Sequence, residues 1–204
     1  MFTLWFMGRP AAGKSTLASR VETRLVERGY PIENLDGDDI RSHLHPDLGF
    51  SREDRRTNNR RTAYIAGLLN KNEIPVIVGM ITPFRDAQKQ AREIIENEGE
   101  FMLVYVKCSL EAAEQRDPKG LYDEAREGAI EKFTGVSHPF QPPLHPDVVV
   151  DTETDSIDAG AERVLAALED AGLLEDRPDE EYTIPLTSRE EEQIADRLDE
   201  LGHL

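Results

Sequence analysis

The sequence predicts an α/β fold of three layers, a five-stranded parallel sheet with helices on both faces. Three observations lead there. Short apolar runs alternate with amphipathic stretches. A glycine-rich loop joins the first run to the first amphipathic stretch. The length, 204 residues, suits one domain around a single sizeable core.

The expected strands are Thr3–Met7, Ile32–Leu35, Pro75–Met80, Met102–Lys107 and Val148–Val150. The first run is apolar but lacks a basic flank and a cleavage site, so it reads as a buried strand and not a signal peptide. The first helix starts at the glycine loop and sets Leu17, Val21 and Leu25 on one face, with Gly29 placed to end it. A second helix is expected over Asn58–Asn70 with Ile65, Leu68 and Leu69 inward, and a third over Asp86–Glu96. A fourth is expected over Ser156–Leu168, with Val164, Leu165 and Leu168 apolar. Two stretches break the alternation. Asp117–Phe140, rich in Gly, Pro and charge, reads as a lid, and Glu175–Leu204 as an acidic extension appended to a domain spanning 1–174.

The net charge of −17 is unevenly placed. Residues 151–204 hold 18 acids against 4 bases, while residues 1–150 hold 23 against 20. Such a balance argues against nonspecific binding to nucleic acid or to an anionic membrane. The longest apolar run, Ile74–Ile81, is far too short to span a bilayer. The single cysteine, Cys108, excludes an internal disulfide and suits a reducing cytoplasm, where it reads as a small core thiol.

Gly8-Arg9-Pro10-Ala11-Ala12-Gly13-Lys14-Ser15 fits G-x-x-x-x-G-K-[ST] between a strand and a helix. In that setting backbone N–H groups curl around phosphates, and the helix N-terminus adds partial positive charge. Residues 8 to 15 with Thr16 are therefore the expected nucleoside triphosphate site. Lys14 would reach the β- and γ-phosphates and the Ser15 hydroxyl would hold Mg²⁺. A guanine-binding switch is set aside. Its N-K-x-D tetrad is approached only by Asn70-Lys71-Asn72-Glu73, at a helix end that faces the wrong edge of the sheet.

After the second strand comes Asp36-Gly37-Asp38-Asp39-Ile40-Arg41, at the strand end where open parallel sheets bind ligands. Two carboxylates flanking one glycine can serve a metal ion and a hydroxyl awaiting activation. Residues 41–61 then carry six arginines against three acids, a positive island suited to sulfate or phosphate oxygens.

From here the chain resembles the adenylylsulfate (APS) kinase family. The matching stretches are Asp36–Arg41, Asp47-Leu48-Gly49-Phe50-Ser51-Arg52-Glu53-Asp54-Arg55, Asn58–Arg61, Ile81-Thr82-Pro83-Phe84-Arg85, Glu114–Tyr122 and Phe133-Thr134-Gly135. The resemblance runs from about Thr3 to Leu173. It implies transfer of the ATP γ-phosphoryl group to the 3′-hydroxyl of APS, giving PAPS. It also implies roles at matching positions: Asp38 as base or orienter, Asp36 near the metal, and Phe50 and Phe133 around the adenine. Arg41, Arg55 and Asn58 would hold phosphosulfate and ribose, Ile81 and Thr82 would line the acceptor, and Arg116 and Lys119 would close over the nucleotide. A homodimer is implied as well. The sequence departs from the family pattern within the loop, Arg9 to Ala12, and at Asp39, Thr57 and Asn59. Thr82 stands where many members have serine. The alternatives are a kinase for another nucleoside or small alcohol and a non-catalytic nucleotide-binding regulator, the latter disfavoured by the intact Lys14, Ser15, Asp36 and Asp38.

Overall fold

The structure, a computed structural model, describes residues 1–174. The expected acidic extension, in which Ile194, Leu198 and Leu201 recur at helical spacing and predict a short helix, lies outside them. β1 (Phe2–Met7), β2 (Glu33–Asp36), β3 (Val76–Met80), β4 (Glu100–Lys107) and β5 (Val148–Asp151) form one sheet in the order β2-β3-β1-β4-β5. Every neighbouring pair is parallel. Seven helices accompany them among the described residues: α1 (Lys14–Glu27), α2 (Gly37–Leu44), α3 (Arg52–Lys71), α4 (Arg85–Ile95), α5 (Leu110–Arg116), α6 (Leu121–Arg126) and α7 (Ile157–Asp170).

Side chains alternate across β1, so its two faces feed two cores. Phe2, Leu4 and Phe6 join Leu17, Val21 and Leu25 of α1 and Val164, Leu165 and Leu168 of α7. Trp5 and Met7 join Ala63 and Ala66 of α3 and Ala91 and Ile95 of α4. A central parallel strand is covered on both sides, which explains why β1 reads as continuously apolar. Burial of Val164, Leu165 and Leu168 contributes about 1.5–3 kcal/mol each, enough to hold a 14-residue helix that would be marginal alone.

The second helix corrects the sequence reading. It begins at Arg52, because the Ser51 side chain accepts from Asp54 N and the Asp54 carboxylate accepts from Ser51 N. Of the expected inward residues, Ile65 and Leu69 are partly buried and pack against the core on this side of the sheet. Arg55, Asn58, Asn59, Thr62, Ala63, Ala66 and Asn70 lie inward, and Leu68 is exposed. The inner face is polar at its start because it borders a site and apolar only where it meets the sheet. The short α2, α5 and α6 were not foreseen. Asn70 binds Thr3 Oγ1 and the Phe2 carbonyl, at the opposite end of β1 from the glycine loop. The N-K-x-E segment therefore lies on the wrong edge for a nucleotide base.

Candidate active site

The carboxyl ends of β1, β2 and β3 bring the two halves of the site together. The loop after β1 turns through Ala11 and Gly13, both at positive φ, and delivers Lys14 to the start of α1. Lys14 Nζ donates to the Arg9 carbonyl at 2.7 Å. Loss of hydration pushes the Lys14 ammonium down to about 8, while Asp38 and then Asp36 pull it back up. Ser15 Oγ donates to Asp36 Oδ2 at 2.9 Å. The other Asp36 oxygen caps α2, accepting from Asp38 N at 2.8 Å. One carboxylate thus links the glycine loop to α2. Gly37 is required between the acids, since a Cβ there would stand 2.6 Å from the Gly79 carbonyl.

Ser15 Oγ and Asp36 Oδ2 form an all-oxygen pair, the hard donor set that suits Mg²⁺ shared with phosphates and waters. The described residues hold no cluster of three His, Cys, Asp or Glu ligands, so phosphate oxygens would have to complete such a site. The fit is that of a metal brought in with its nucleotide.

Asp38 is exposed and meets Lys119 Nζ at 2.7 Å, a contact that raises the lysine's proton affinity through the hydrogen bond first and charge second. Lys119 lies on a tight turn: Gly120 N donates to the Asp117 carbonyl, and the Asp117 carboxylate accepts from Leu121 N and Tyr122 N at the start of α6. Tyr122 Oη donates to the Pro10 carbonyl at 3.0 Å, fastening the lid to the phosphate loop. Arg116 bonds the Thr152 hydroxyl and carbonyl, and Thr152 Oγ1 in turn donates to the Ala12 carbonyl. Asp117, Tyr122 and Thr152 were missed as supports. The Asp117 signal was legible as an acid four residues before a helix start. Thr152 carried no local signal.

The arginine island divides by function. Arg61 pairs with Asp47 through two hydrogen bonds, Arg52 with Asp86, and Arg56 with Gln90. Arg41 and Arg55 alone gather at Phe50, with guanidinium carbons 4.2 and 5.5 Å from the ring centre. Burial pushes Arg55 down to about 10, and the Arg41 charge adds to that. Burial also lowers Arg41, against Asp54 and Asp38. Two cations held together at cost, with Asp38 one helical turn away, make a place for an anion.

Phe50 and Phe133 differ in setting. Phe50 is 53% exposed, whereas Phe133 is 7% exposed and packs edge-on against Tyr122. Arg55 joins their segments by donating to the carbonyls of Phe50 and Lys132. Asn58 is buried and accepts from His45 Nδ1 at 2.5 Å, a partner the sequence reading missed. Ile81 is partly buried at the end of β3. The Thr82 hydroxyl is turned inward, 1% exposed, accepting from Trp5 Nε1 and donating to Asn59 Oδ1. Its φ of 41° is a rare conformation for a β-branched residue and costs about 1–3 kcal/mol.

A parallel sheet with a phosphate loop at its carboxyl edge, facing a carboxylate on a second strand end, defines a phosphate-loop kinase. Comparison with known proteins narrows this. A family model described as adenylylsulphate kinase matches residues 1–151, and the chain belongs to that family. It is 46% identical to the adenylyl-sulfate kinase of Halothermothrix orenii over 172 residues, 84% of this chain and 91% of that protein. It is also 46% identical to that of Chloroflexus aurantiacus, over 81% of this chain and 88% of the relative. Among solved structures, the Mycobacterium tuberculosis APS kinase in complex with AMPPNP and APS superposes with a TM-score of 0.79 at 40% identity. That match covers 82% of this chain and 96% of the other.

Proposed function

We propose that this chain transfers the γ-phosphoryl group of ATP to the 3′-hydroxyl of APS, releasing ADP and PAPS, within sulfate activation. The observation that carries the acceptor assignment is the stack of Arg41 and Arg55 at Phe50, one turn of α2 from Asp38. An aromatic face takes a purine, and two guanidiniums take phosphosulfate oxygens.

In this reading the nucleotide phosphates lie on the loop from Gly8 to Ser15, with Thr16 and Arg116 beside it. Asp38 accepts the proton of the 3′-hydroxyl as that oxygen attacks the γ-phosphorus, and the bond to the ADP oxygen breaks in line. Lys14 neutralises charge on the β- and γ-oxygens. Lys119 exchanges the Asp38 carboxylate for phosphate when substrates arrive. Ser15 Oγ and Asp36 would hold Mg²⁺, which would supply charge neutralisation when bound with the nucleotide. Asn58, Ile81 and the backbone at Thr82 wall the acceptor, and Phe50 and Phe133 border the adenine. Most of the rate enhancement then comes from positioning.

The test is PAPS formation from ATP, Mg²⁺ and APS, set against a panel of other nucleosides and small alcohols. Much faster phosphorylation of another alcohol would assign a different acceptor. A homodimer in the cytoplasm belongs to the same proposal, supported by exposed Tyr64, Leu68 and Leu44, and sedimentation of the purified chain tests the dimer.

A further inference from the structure

A chain of buried polar contacts runs from the middle of the sheet to the acceptor pocket. Trp5, the only tryptophan, is fully buried in β1, and its indole Nε1 donates to Thr82 Oγ1 at 2.9 Å. Thr82 Oγ1 donates to Asn59 Oδ1 at 3.1 Å. Asn59 Nδ2 donates to the Arg55 carbonyl at 2.9 Å. The Arg55 guanidinium then reaches the carbonyls of Phe50 at 3.3 Å and Lys132 at 3.0 Å. Asn59 and Thr82 are each at most 3% exposed, so neither side chain is open to a ligand.

Each bond in this series has a direction set by its neighbours. The indole can only donate, so the Thr82 hydroxyl accepts from it and must spend its own proton on Asn59. That fixes which way the Asn59 amide points: oxygen to Thr82, nitrogen to the Arg55 carbonyl. The adjacent Asn58 turns instead to His45, so the two asparagines divide the work of α3. Asn59 sits beside Ala63 and Thr62 on the inner face of α3, and these two bonds account for its polar side chain there.

We propose that Asn59 and Thr82 are positioning residues for the acceptor site. They act through Arg55, fixing the guanidinium that ties the Phe50 segment to the lid at Lys132. This rests on the assignment of the acceptor pocket to Arg41, Phe50 and Arg55. Thr82 is in this role a structural hydroxyl with both its hydrogen-bonding functions engaged, and not a phosphate carrier.

The test compares Asn59→Leu, which keeps the branched outline and removes both amide bonds, with Thr82→Val and Thr82→Ser. In the first two variants KM for APS should rise roughly tenfold, the usual consequence of losing one buried hydrogen bond. KM for ATP should change less than about threefold, since the phosphate loop is untouched. Thr82→Ser keeps the hydroxyl and should restore the acceptor KM. As a readout free of turnover, limited trypsin digestion should cut after Lys132 faster in Asn59→Leu than in the unmodified chain, with no fall in Tm sufficient to explain it. Equal rises in both KM values, or a lowered Tm with the APS KM and the Lys132 cleavage rate unchanged, would overturn the proposal. So would a phosphothreonine at Thr82 that forms and decays at the rate of turnover. An unmodified chain inactive towards APS would count against the assigned reaction, and the Lys132 cleavage rate would then judge the network by itself.

Discussion

Raising the pH from 7 to 9 should weaken ATP capture through a single group, Lys14. Its ammonium is held at about 8 in the free protein, against an ordinary 10.5, chiefly because burial strips its hydration. At pH 7 about nine-tenths of the molecules then carry the charge, and at pH 9 about one in eleven. Bound phosphates favour the charged form, so the bound pKa is higher and nucleotide binding takes up a proton above pH 8. The sign follows: affinity is full below about 8 and falls roughly tenfold per unit as the pH rises towards the bound value. kcat/KM for ATP should therefore drop about tenfold between pH 7 and 9 while kcat, which reports the loaded enzyme, holds further into the alkaline range. Initial rates at saturating APS, with nucleotide affinity measured by calorimetry at the same pH values, provide the assay. Lys14→Met should lose about 10²-fold or more in kcat and should lose this pH dependence as well. A kcat/KM that stays level to pH 9.5, or a Lys14→Met variant that declines in parallel with the unmodified protein, would refute the argument.

Asp38→Asn should lower kcat by about 10²-fold or more through loss of the base, yet leave Tm nearly unchanged, because the side chain is exposed; turnover and thermal melting decide this. Ser51→Ala should cost about 1 kcal/mol by removing the cap of α3, read as a lower midpoint in urea. Truncation after Leu174 should keep APS kinase activity, since every candidate-site residue lies before it; loss of APS binding by a folded truncation would place the extension in the site.

The elements that a sequence exposes best are those whose pattern has one cause. All five strands were legible within about two residues, most plainly β1 and β3, which are buried along their whole length and read as apolar runs. α1 and α7 were legible for a similar reason, with their apolar residues at helical spacing. α3 misled because its inner face mixes two tasks. Near Arg55, Asn58 and Asn59 it faces the site, and only from Ala63 does it face the sheet, so the apolar Ile65 and Leu69, which do pack against the core, drew attention away from the polar start, and Leu68 is exposed. Its true start was nevertheless written in Ser51 and Asp54, three residues apart as a capping box requires. The phosphate loop and the Asp36–Asp38 pair declared themselves through local chemistry. Thr152, His45 and the Trp5 indole could not, since each contacts the site machinery from more than ten residues away along the chain.

The turn that carries Lys119 bears on the speed of the enzyme. Asp117 closes that turn through its own carbonyl and its carboxylate, and Tyr122 holds the following helix to the loop at Pro10. The backbone at Lys119 is thereby held at both ends. Passing from Asp38 to a phosphate then requires only rotation about the lysine's own methylenes. Exposed side chains make such rotations in picoseconds to nanoseconds, whereas loop closures take microseconds to milliseconds. Common turnover numbers of about 1 to 10³ per second leave each cycle a millisecond or more. In the proposed mechanism the exchange of partners at Lys119 would thus be complete many thousands of times over within one catalytic cycle, would equilibrate before each transfer and would set no rate of its own.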